Sequence, residues 1–569
     1  MIEEIKLIVK TALGQENIDI ANNKDLVFLR IKIARLGHFT TNASFLLAKK
    51  NGTSPMEEAE KLKSKIIQTS PAGYFEKIEI VNGYINFFVS EKTINESFKK
   101  ISSAGASWGD SKIGAGQRVI VEYGSPNIGK PLHFGHLRST IIGQALFNIY
   151  KSQGYKAISW SHPGDWGKQF GIMIAAYKEK ARAGEKVELS IDEFLKLYVD
   201  YNFRMKNDPR LEEIAREETR KLQYGDKENA RLWKKIYNLS MGEFSRIIKQ
   251  LGVRFDVNNG ESFYKPFLKR IVDVALDRGI AIRSEGAVII PLEEENLPPF
   301  IIQKSDEAYL YTTTDIAAAK YRLEKYKADK ILYVVGAEQY LHFEQLFAVL
   351  KKLGYLKNQE LVHVKFGLVL GEDSKKLSTR AGKHISLSEV IDEAVSKAAV
   401  ILSEKAPEIQ KHEREKTAQI IGIDSLKYND LSQNRLSNIV FNWDKMLSFE
   451  GIAAPYLLYT YARLRSILRK AGAKKIVSGE FEAESEQKLI LKLDAFPDAV
   501  RLAADNFYPH TIAVYLYELS EAINNFYHTE NVLNAESSIR ASRLALVNTA
   551  SIVLKKGLNL LGLETVERL

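Results

Sequence analysis

The sequence of 569 residues is 45% hydrophobic and 27% charged, has a net charge of +10, and contains no cysteine. Its length predicts about three or four domains, and the lack of cysteine excludes disulfides, thiol nucleophiles and cysteine zinc sites. No apolar run reaches the roughly 18 residues of a membrane helix, and the acidic amphipathic start at 1–13 is unlike a signal peptide. We therefore expect a cytoplasmic protein that binds no membrane, and the positive charge favours a polyanionic partner.

Residues 1–105 predict a compact α+β domain. Its second half contains two alternating runs separated by Asn82-Gly83, a hairpin turn signal. The return strand alternates aromatic and amide groups, including Tyr84 and Asn86, and such a strand can stack on and hydrogen-bond an unpaired base. The same aromatics can instead belong to the core. The predicted elements are helices over 2–13 and 55–68 and strands over 74–81 and 84–89.

A short β-branched run at 119–121 predicts a buried parallel strand. A turn rich in glycine, proline and asparagine follows, and His133, Gly135 and His136 then open a helix predicted over 137–150. A strand, a glycine turn and a helix N-terminus together favour a bound phosphate. The two imidazoles can hydrogen-bond or partly neutralise a phosphoryl group, and Gly135 leaves room for a flat ring such as adenine. Two surface histidines in a loop are the alternative.

A charged region separates the first strands from a later set. A second strand at 156–162 and a second glycine turn at 164–171 precede residues 178–283, whose alternating basic and acidic residues predict solvated helix faces. Strands and helices that alternate on both sides of this insertion predict a doubly wound sheet that the insertion divides. The later strands are predicted over 287–292, 300–303, 330–335 and 364–370.

Two acidic side chains and a tyrosine are candidates for recognising a cation. Glu122 ends the first strand, and Asp315 follows Tyr311 by four residues in a segment that is predicted to pass from a strand into a helix capped by Thr314 or Asp315. A carboxylate engages a planar guanidinium through paired, charge-assisted hydrogen bonds. The alternatives are a helix cap for Asp315 and an internal ion pair for Glu122.

A basic loop at 371–383 follows the strand predicted over 364–370. It has glycines near both ends and four cationic residues, a composition typical of a mobile loop that grips phosphates, although a solvated loop is the alternative.

From about residue 425 the chain is predicted to be wholly helical. The helix that carries Tyr459 and Arg463 mixes tyrosines with arginines, a combination that can stack RNA bases or simply pack in a core.

Several of these motifs resemble those of one enzyme family. The run from Glu122 onwards, E-x-x-S-P-N-x-x-K-P-x-H-x-G-H-L-R-S, is similar to the extended HIGH motif of arginyl-tRNA synthetases, which are class I aminoacyl-tRNA synthetases. GDWGKQFG at 164–171, the Y-I-N-F strand at 84–87 and Y-A-R-x-x-S-I at 461–467 also resemble runs of that family. The basic loop aligns with the KMSKS loop, with Thr379 where the second lysine normally stands. The similarity covers nearly the whole chain and matches 178–283 loosely.

The resemblance implies an α/β multidomain architecture. It comprises an N-terminal α+β domain that binds the tRNA D-loop, a Rossmann-like class I catalytic domain with a helical insertion, and a C-terminal all-α anticodon-binding bundle. The expected boundaries are 1–105 for the first domain, 117–395 for the second with its insertion at about 178–283, and 396–569 for linker helices and the bundle.

The resemblance further implies ATP-dependent activation of L-arginine, with Mg²⁺ and no protein-bound metal site, followed by transfer to tRNA(Arg). A monomer is expected, and activation is expected to require bound tRNA. The implied ATP-binding residues are Lys130, His133, Gly135, His136, Lys376 and Ser378, with Lys130 supplying the cation that Thr379 lacks. The implied arginine-binding residues are Glu122, Tyr311 and Asp315 for the guanidinium and Ser125, Asn127 and Gln339 for the α-ammonium and carboxylate end. The implied tRNA-binding residues are Asn82, Tyr84, Asn86, Tyr459 and Arg463.

Three other functions stay open at this point. A class I synthetase for another amino acid is disfavoured by GDWGKQFG and by the pair Tyr311 and Asp315. A catalytically idle RNA-binding paralogue has no need to keep both imidazoles and both carboxylates. A small-molecule nucleotidyltransferase shares the imidazole turn but needs neither an N-terminal extra domain nor a helical C-terminal domain.

Overall fold

The computed structural model describes residues 1–31, 33–185, 190–371, 379–380, 383–384, 386–407, 410–472 and 479–569. Lys376 and Ser378, two of the predicted ATP-binding residues, lie outside these ranges. Among the described helices, none is both long enough and apolar enough to cross a bilayer.

The N-terminal region is the predicted α+β domain, with a four-stranded antiparallel sheet in the order β1-β2-β4-β3. The predicted hairpin is confirmed, because β3 pairs with β4 and its two turn residues, Asn82 and Gly83, both adopt positive φ angles, of 51° and 87°. The elements are α1 Ile2–Leu13, α2 Ile18–Ala21, β1 Phe28–Arg30, β2 Phe39–Thr41, α3 Ala43–Asn51, α4 Pro55–Thr69, β3 Phe75–Val81, β4 Tyr84–Val89 and α5 Glu91–Ala104.

The central region is built on a five-stranded parallel sheet with helices on both faces. Its elements up to the end of the sheet are β5 Arg118–Glu122, α6 Phe134–Ser152, β6 Lys156–Ser161, α7 Lys168–Arg182, α8 Ile191–Met205, α9 Pro209–Gln223, α10 Lys227–Gln250, β7 Val257–Asn258, α11 Lys265–Asp277, β8 Ile282–Ser284, β9 Ala287–Ile290, β10 Phe300–Gln303, α12 Tyr311–Lys325, β11 Lys330–Tyr333, α13 Tyr340–Lys352 and β12 Glu360–His363.

The sheet order, β12-β11-β5-β6-β7, places the first strand in the middle. The chain continues from β5 to β6 on one side and returns through β11 on the other, so β5 and β11 mark a topological switch point. Val119, Ile120 and Val121 of β5 are completely buried, as the β-branched run predicts. Ligands of open α/β sheets bind in the crevice beyond such a switch point.

Four strand predictions need correction. The strands predicted over 287–292 and 300–303 exist, but they form a separate antiparallel sheet with β8. The strand predicted over 364–370 is only partly present, because the chain leaves the parallel sheet at His363 and only Val369–Leu370 form a short strand, which pairs with Ile439–Val440 instead. The segment at Tyr311 begins a helix rather than ending a strand, and the N-cap of this helix is Leu310. Its next two threonines, Thr312 and Thr313, donate hydrogen bonds to carbonyls of β10, which explains how β-branched residues fit this turn.

The helical insertion lies between β6 and β7. Strand β7, inside the predicted range 178–283, pairs with β6 and belongs to the parallel sheet, so α8, α9 and α10 form the inserted unit. Helices α7 and α9 pack together around an apolar cluster that includes Phe170, Phe194 and Leu222. Several charged side chains of the insertion form surface ion pairs, such as Arg216 with Glu212 at 3.3 Å.

The rest of the chain is mostly helical. The prediction of a wholly helical region beyond 425 is wrong at one short strand, β16, which pairs with β13 just before the basic loop. The elements are β13 Val369–Leu370, β14 Thr379–Arg380, β15 Lys383–His384, α14 Leu387–Lys405, α15 Lys411–Leu431, β16 Ile439–Val440, α16 Trp443–Met446, α17 Ala454–Ala471, α18 Glu484–Asp494, α19 Phe496–Asp505, α20 His510–Thr529 and α21 Ser537–Leu560. The boundary predicted at 395/396 falls inside α14.

Two arginines form ion pairs that fix the helical region to the rest of the chain. Arg30 of β1 contacts Asp494 at 2.7 Å and Asp498 at 2.9 Å, which docks the N-terminal domain on α18 and α19. Arg138 of α6 is completely buried, and its Nε lies 2.9 Å from Asp430 of α15. The helix that follows the two imidazoles is therefore held directly against the C-terminal region.

Candidate active site

The turn after β5 holds the two predicted imidazoles against the start of α6. His133 is the N-cap residue, and its Nδ1 accepts a hydrogen bond from the backbone N–H of Gly135 at 3.1 Å. Nδ1 of His136 in turn accepts from the backbone N–H of His133 at 3.1 Å, and the two rings lie 4.0 Å apart. Because both Nδ1 atoms accept hydrogen bonds, the ring hydrogens of neutral imidazoles lie on Nε2.

The charge state of His136 follows from its surroundings. Burial lowers the pKa of His136 to about 3, and the neighbouring His133 adds to the decrease. His136 is therefore neutral near pH 7 and offers a hydrogen-bond donor rather than a positive charge. A Cβ atom on Gly135 would lie 2.9 Å from the His133 ring, so glycine is required for this close packing.

Asp315 lies in the first turns of α12 and is oriented by two histidines. Nε2 of His342, from α13, lies 2.7 Å from Oδ2 of Asp315. Nε2 of His162, directly after β6, lies 3.8 Å from Oδ1. The Tyr311 ring packs against His342 with centroids 5.1 Å apart, so the predicted pair Tyr311 and Asp315 shares one neighbour.

Glu261 adds a further carboxyl group to this cluster. It opens a short 3-10 turn, Glu261–Tyr264, that follows β7. Burial raises the pKa of Glu261 to about 8, and the negative charges of Asp315 and Asp165 contribute to the increase. Two acidic groups thus lie close together in a poorly solvated region, an arrangement that favours a bound cation.

Glu122 already has an internal partner. Its Oε2 lies 2.5 Å from Nη1 of Arg322, a residue of α12 that is 1% exposed. The internal ion pair that was open as an alternative therefore exists, and it occupies one of the two carboxylate oxygens. The other oxygen, Oε1, is not part of this ion pair, and a role of Glu122 in binding arginine stays a prediction.

A cavity of about 780 Å³ opens beside this cluster. Of the predicted arginine-binding residues, Asn127, Tyr311 and Gln339 line it, and Glu261 does so as well. Asn127 is held close to the glycine turn after β6, because its backbone pairs with that of Gly164. Glycine is needed there, since a Cβ would lie 2.6 Å from the Asn127 amide oxygen.

Ser125 supports the cluster from behind the cavity. Its hydroxyl accepts a hydrogen bond from the backbone N–H of His162 at 2.8 Å. The ring of His162 lies next to Tyr264, with centroids 5.5 Å apart, and the Nε2 atom of His162 is buried with no hydrogen-bond partner among the described residues. Ser125 thus fixes the turn that carries His162, whereas a direct contact of Ser125 with a substrate stays a prediction.

Lys130 points towards the insertion. Its Nζ lies 4.6 Å from the centroid of the Tyr198 ring, in α8. A cation–π contact of this kind is weak at a partly exposed position, so the lysine can move to a phosphate at low cost. The other predicted cation, Lys376, lies outside the described residues.

Four residues of the cluster were not predicted: His162, Glu261, Arg322 and His342. His162 carried a usable signal, because it is the last residue of the strand predicted over 156–162 and so lies at the edge where ligands bind. Glu261, Arg322 and His342 lie in distant segments of the chain. The sequence does not show that these segments meet unless the order of the strands in the sheet is known.

The predicted tRNA-binding residues lie in two places. Asn82 and Tyr84 are exposed at the tip of the β3–β4 hairpin, and the Tyr84 ring packs on Phe45 at 4.8 Å. Asn86 is 5% exposed inside the same sheet, so it does not share that surface. In the helical bundle, Arg463 lies between two half-exposed rings, 4.7 Å from Tyr459 and 4.8 Å from Tyr527.

Within the part of the chain that the structure describes, no group of three or more histidine, aspartate or glutamate side chains is arranged to hold a metal ion.

Comparison with known proteins matches each region to the same family. A family model described as class I (R) tRNA synthetase, catalytic domain, matches residues 100–443, which is more than half of the chain. The arginyl tRNA synthetase N-terminal domain model matches 3–89, and the DALR anticodon binding domain model matches 457–569.

Named relatives are similar to this chain over nearly its whole length. An arginine–tRNA ligase of Fusobacterium nucleatum is 40% identical over 571 aligned residues, covering 98% of this chain and 99% of the relative. One of Clostridium acetobutylicum is 39% identical, covering 92% and 93%.

The crystal structure of an arginyl-tRNA synthetase from Plasmodium falciparum has a TM-score of 0.83 and 27% identity, covering 100% of this chain and 99% of that one. An arginyl-tRNA synthetase of Thermus thermophilus has the same fold, with a TM-score of 0.82, 23% identity and full coverage of both chains. The catalytic, N-terminal and anticodon-binding matches, together with relatives of this similarity, place the chain in the arginyl-tRNA synthetase family.

Proposed function

We propose that the chain is an arginine–tRNA ligase. It activates L-arginine with ATP to form arginyl-adenylate and then transfers arginine to the 3′ end of tRNA(Arg). The observation that carries the proposal is the meeting of two groups at one edge of the parallel sheet. The imidazole turn after β5 supplies phosphate donors, and the carboxyl groups of Asp315 and Glu261 lie near each other beside a cavity.

Recognition of arginine rests on the acidic cluster. Asp315, Glu122 and Tyr311 are assigned to the guanidinium, as the resemblance implies, and Glu261 joins them because its carboxyl group acts electrostatically on Asp315. A planar guanidinium matches carboxylates through paired hydrogen bonds. Lysine or citrulline would leave some of these buried acceptors unpaired, which costs several kcal/mol, about 1–3 per unsatisfied group. No hydrolytic editing step is needed for such discrimination.

The other end of arginine is assigned to the cavity wall. Asn127 and Gln339 line the cavity from the loops after β5 and β11, on either side of the switch point. Their amide groups can bind the α-ammonium and the carboxylate, which places the carboxylate towards the imidazole turn. Ser125 contributes by holding the turn that follows β6.

The first chemical step is a displacement at phosphorus. A carboxylate oxygen of arginine attacks the α-phosphorus of ATP, the bond to the bridging oxygen breaks, and pyrophosphate leaves. The Nε2–H groups of His133 and His136 donate to the phosphoryl oxygens as their charge changes. Because burial keeps His136 neutral, its contribution is a fixed donor rather than a charge.

The remaining charge on ATP requires cations. Lys130 is assigned to the β- and γ-phosphates, with Lys376 and Ser378 of the basic loop. Mg²⁺ bound to ATP neutralises further phosphate charge when the nucleotide is present, and it is expected to arrive with ATP. Gly135 provides the backbone surface for the adenine ring.

The second step transfers the aminoacyl group. A terminal ribose hydroxyl of tRNA(Arg) attacks the carbonyl carbon of the adenylate, and AMP leaves. No enzyme nucleophile takes part, so positioning and electrostatics supply the rate. Asn82 and Tyr84, exposed on the N-terminal hairpin, are assigned to the D-loop, whereas the buried Asn86 is not, and Tyr459 and Arg463 are assigned to the anticodon. We also propose a cytoplasmic monomer.

A charging assay tests the proposal. The purified protein is incubated with ATP, a tRNA(Arg) transcript and each labelled amino acid in separate reactions. Labelled arginine is expected to become attached to tRNA(Arg) while lysine and citrulline do not. Attachment of a different amino acid, or of none, would overturn the proposal. A tRNA(Lys) transcript is the matched control for the tRNA.

A further inference from the structure

The active-site cluster contains one buried cation that the proposed mechanism does not use. Arg322 lies two helical turns beyond Asp315 in α12 and is 1% exposed. Its Nη1 lies 2.5 Å from Oε2 of Glu122 at the end of β5. A single helix therefore carries Asp315 and the partner of Glu122 on the same face, since residues seven apart are separated by about two turns.

The surroundings hold this guanidinium in one place. Its Cζ lies 4.9 Å from the ring of Trp160 and 5.6 Å from the ring of Tyr333. Trp160 of β6 and Tyr333 of β11 are the residues paired with Glu122 in the two neighbouring strands. Glu122, Trp160 and Tyr333 are thus adjacent residues of three neighbouring strands, and the two aromatic residues flank the ion pair.

Arg322 stays charged in this environment. Burial alone would lower the pKa of Arg322, but the negative charge of Glu122 and the nearby oxygens of Tyr264 and Tyr333 raise it. The pair is also costly, because Nε and Nη2 of Arg322 are buried and make no well-aligned hydrogen bond to any described residue; the hydroxyls of Tyr264 and Tyr333 act on the guanidinium only through looser contacts. Well-packed apolar residues commonly stabilise a core as well as such an ion pair does. Stability alone therefore does not account for this arrangement.

We propose that Arg322 is a positioning residue for arginine recognition. It binds Oε2 of Glu122 and so fixes the carboxylate in one orientation, which leaves Oε1 for the positively charged substrate. Helix α12 carries Asp315, and it also carries Arg322, which holds Glu122 at the end of β5. One helix therefore sets the positions of both carboxylates. This inference rests on the proposed role of Glu122 in binding arginine.

The planar shape of the Arg322 side chain suits its position between two aromatic rings. A guanidinium can lie between the Trp160 and Tyr333 rings while its edge faces a carboxylate, whereas an ammonium is a point charge with stronger hydration. Lysine at this position would keep the charge and lose the fixed orientation. Methionine would fill a similar space and remove the charge.

The test compares Arg322→Met and Arg322→Lys with a matched control. Arg543 is a second arginine with little exposure, and its Nε lies 2.7 Å from Glu486 in the helical bundle. In Arg322→Met, the KM for arginine is expected to rise about tenfold, equivalent to ~1.4 kcal/mol, while the KM for ATP stays within about twofold. Arg543→Met is expected to lower the thermal midpoint about as much as Arg322→Met does, and to leave the KM for arginine unchanged.

A double variant separates positioning from general damage. Once Glu122→Gln has removed the carboxylate, adding Arg322→Met is expected to change the KM for arginine by less than about twofold, because the two residues act as one unit. Equal effects of Arg322→Met in both backgrounds would overturn the inference. So would an Arg322→Met variant whose KM for arginine equals that of the wild type.

If Arg322→Met does not fold, the KM for arginine of the Arg322→Lys variant provides the test. It retains the buried charge, and it is expected to raise the KM for arginine by about threefold with the KM for ATP unchanged, whereas Arg543→Lys is expected to change neither. An unchanged KM for arginine in Arg322→Lys would overturn the inference. Failure of the wild type to charge tRNA(Arg) with arginine is a different outcome and would overturn the proposed function itself.

Discussion

Nε2 of His342 lies 2.7 Å from Oδ2 of Asp315, so a side chain from α13 fixes the orientation of a carboxylate on α12. The Tyr311 ring packs on the same histidine. Asp315 therefore has a defined geometry before any substrate is present. A carboxylate that only capped its helix would not need a partner from the following helix, and Leu310 occupies the cap position.

Asp315→Asn is expected to weaken arginine binding and to spare ATP. The change keeps the shape and the contact with His342 but removes a charge-assisted hydrogen bond to the guanidinium, worth about 1.5–3 kcal/mol. The KM for arginine in the charging reaction should rise about 10- to 100-fold while that for ATP stays constant. An unchanged KM for arginine would show that Asp315 is structural.

Arginine binding is expected to release a proton from Glu261. In the free protein, burial and the charges of Asp315 and Asp165 raise the pKa of Glu261 to about 8, so most of this group is protonated at pH 7. A bound guanidinium favours the ionised form. The dissociation constant for arginine should therefore fall by up to about tenfold per pH unit as pH rises towards 8, and level off above it.

Calorimetry in two buffers of different ionisation enthalpy measures that proton directly. Glu261→Gln is the matched control, since it retains the shape and cannot ionise. Both the proton release and the pH dependence should disappear in this variant. Equal pH dependence in Glu261→Gln and wild type would assign the effect to another group.

His136→Asn is expected to separate catalysis from folding. The asparagine oxygen can replace Nδ1 as acceptor of the His133 N–H, but the variant has no donor at the position of Nε2. Adenylate formation should fall by about 10²–10³, the usual effect of removing one preorganised donor, with a thermal midpoint close to that of the wild type. Wild-type rates of pyrophosphate exchange in the presence of tRNA would contradict the assigned role.

Lys130→Ala is expected to impair adenylate formation far more than arginine binding. Thr379 stands where a second loop lysine is usual, so Lys130 is left to neutralise the ATP phosphates. Tyr198→Leu is the control, because it removes the ring under Nζ and leaves the cation in place. Pyrophosphate exchange should drop in Lys130→Ala and change little in Tyr198→Leu. Near wild-type exchange in Lys130→Ala would refute the compensating role.

Arg463→Met is expected to affect tRNA and not arginine. The guanidinium lies between Tyr459 and Tyr527 and donates to Asn524 at 2.6 Å, which keeps both rings apart at the bundle surface. The KM for tRNA(Arg) should increase about tenfold, in line with a loss of about 1–3 kcal/mol per stacked base. Loss of affinity for arginine instead would indicate a disturbed catalytic domain.

Local patterns predicted those features that depend on neighbouring residues. The β-branched run before Glu122, the Asn82-Gly83 hairpin and the imidazole turn were each predicted from a short window, and each is found in the structure. Tyr311 shows the limit of such windows. Its threonine-rich segment resembles a strand, but the threonine hydroxyls donate to β10 carbonyls and allow a helix to start there.

The environment of the predicted carboxylates could not be read from sequence. The Arg322 partner of Glu122 lies 200 residues away, and Glu261 reaches Asp315 because β7 adds to the sheet beyond β6. A sequence window carries no information about the order of strands, so it cannot show which distant charges meet. His162 is the exception among the residues that were not predicted, since its place at the end of a predicted strand was a signal for the ligand-binding edge that sequence reasoning did not use.

The decisive measurement is a crystal structure with L-arginine and a non-hydrolysable ATP analogue bound. We expect the guanidinium to lie against Asp315 and Glu261, and the α-phosphate to lie within hydrogen-bond distance of His133 and His136. Arginine bound away from the acidic cluster, or an α-phosphate away from the two imidazoles, would contradict it.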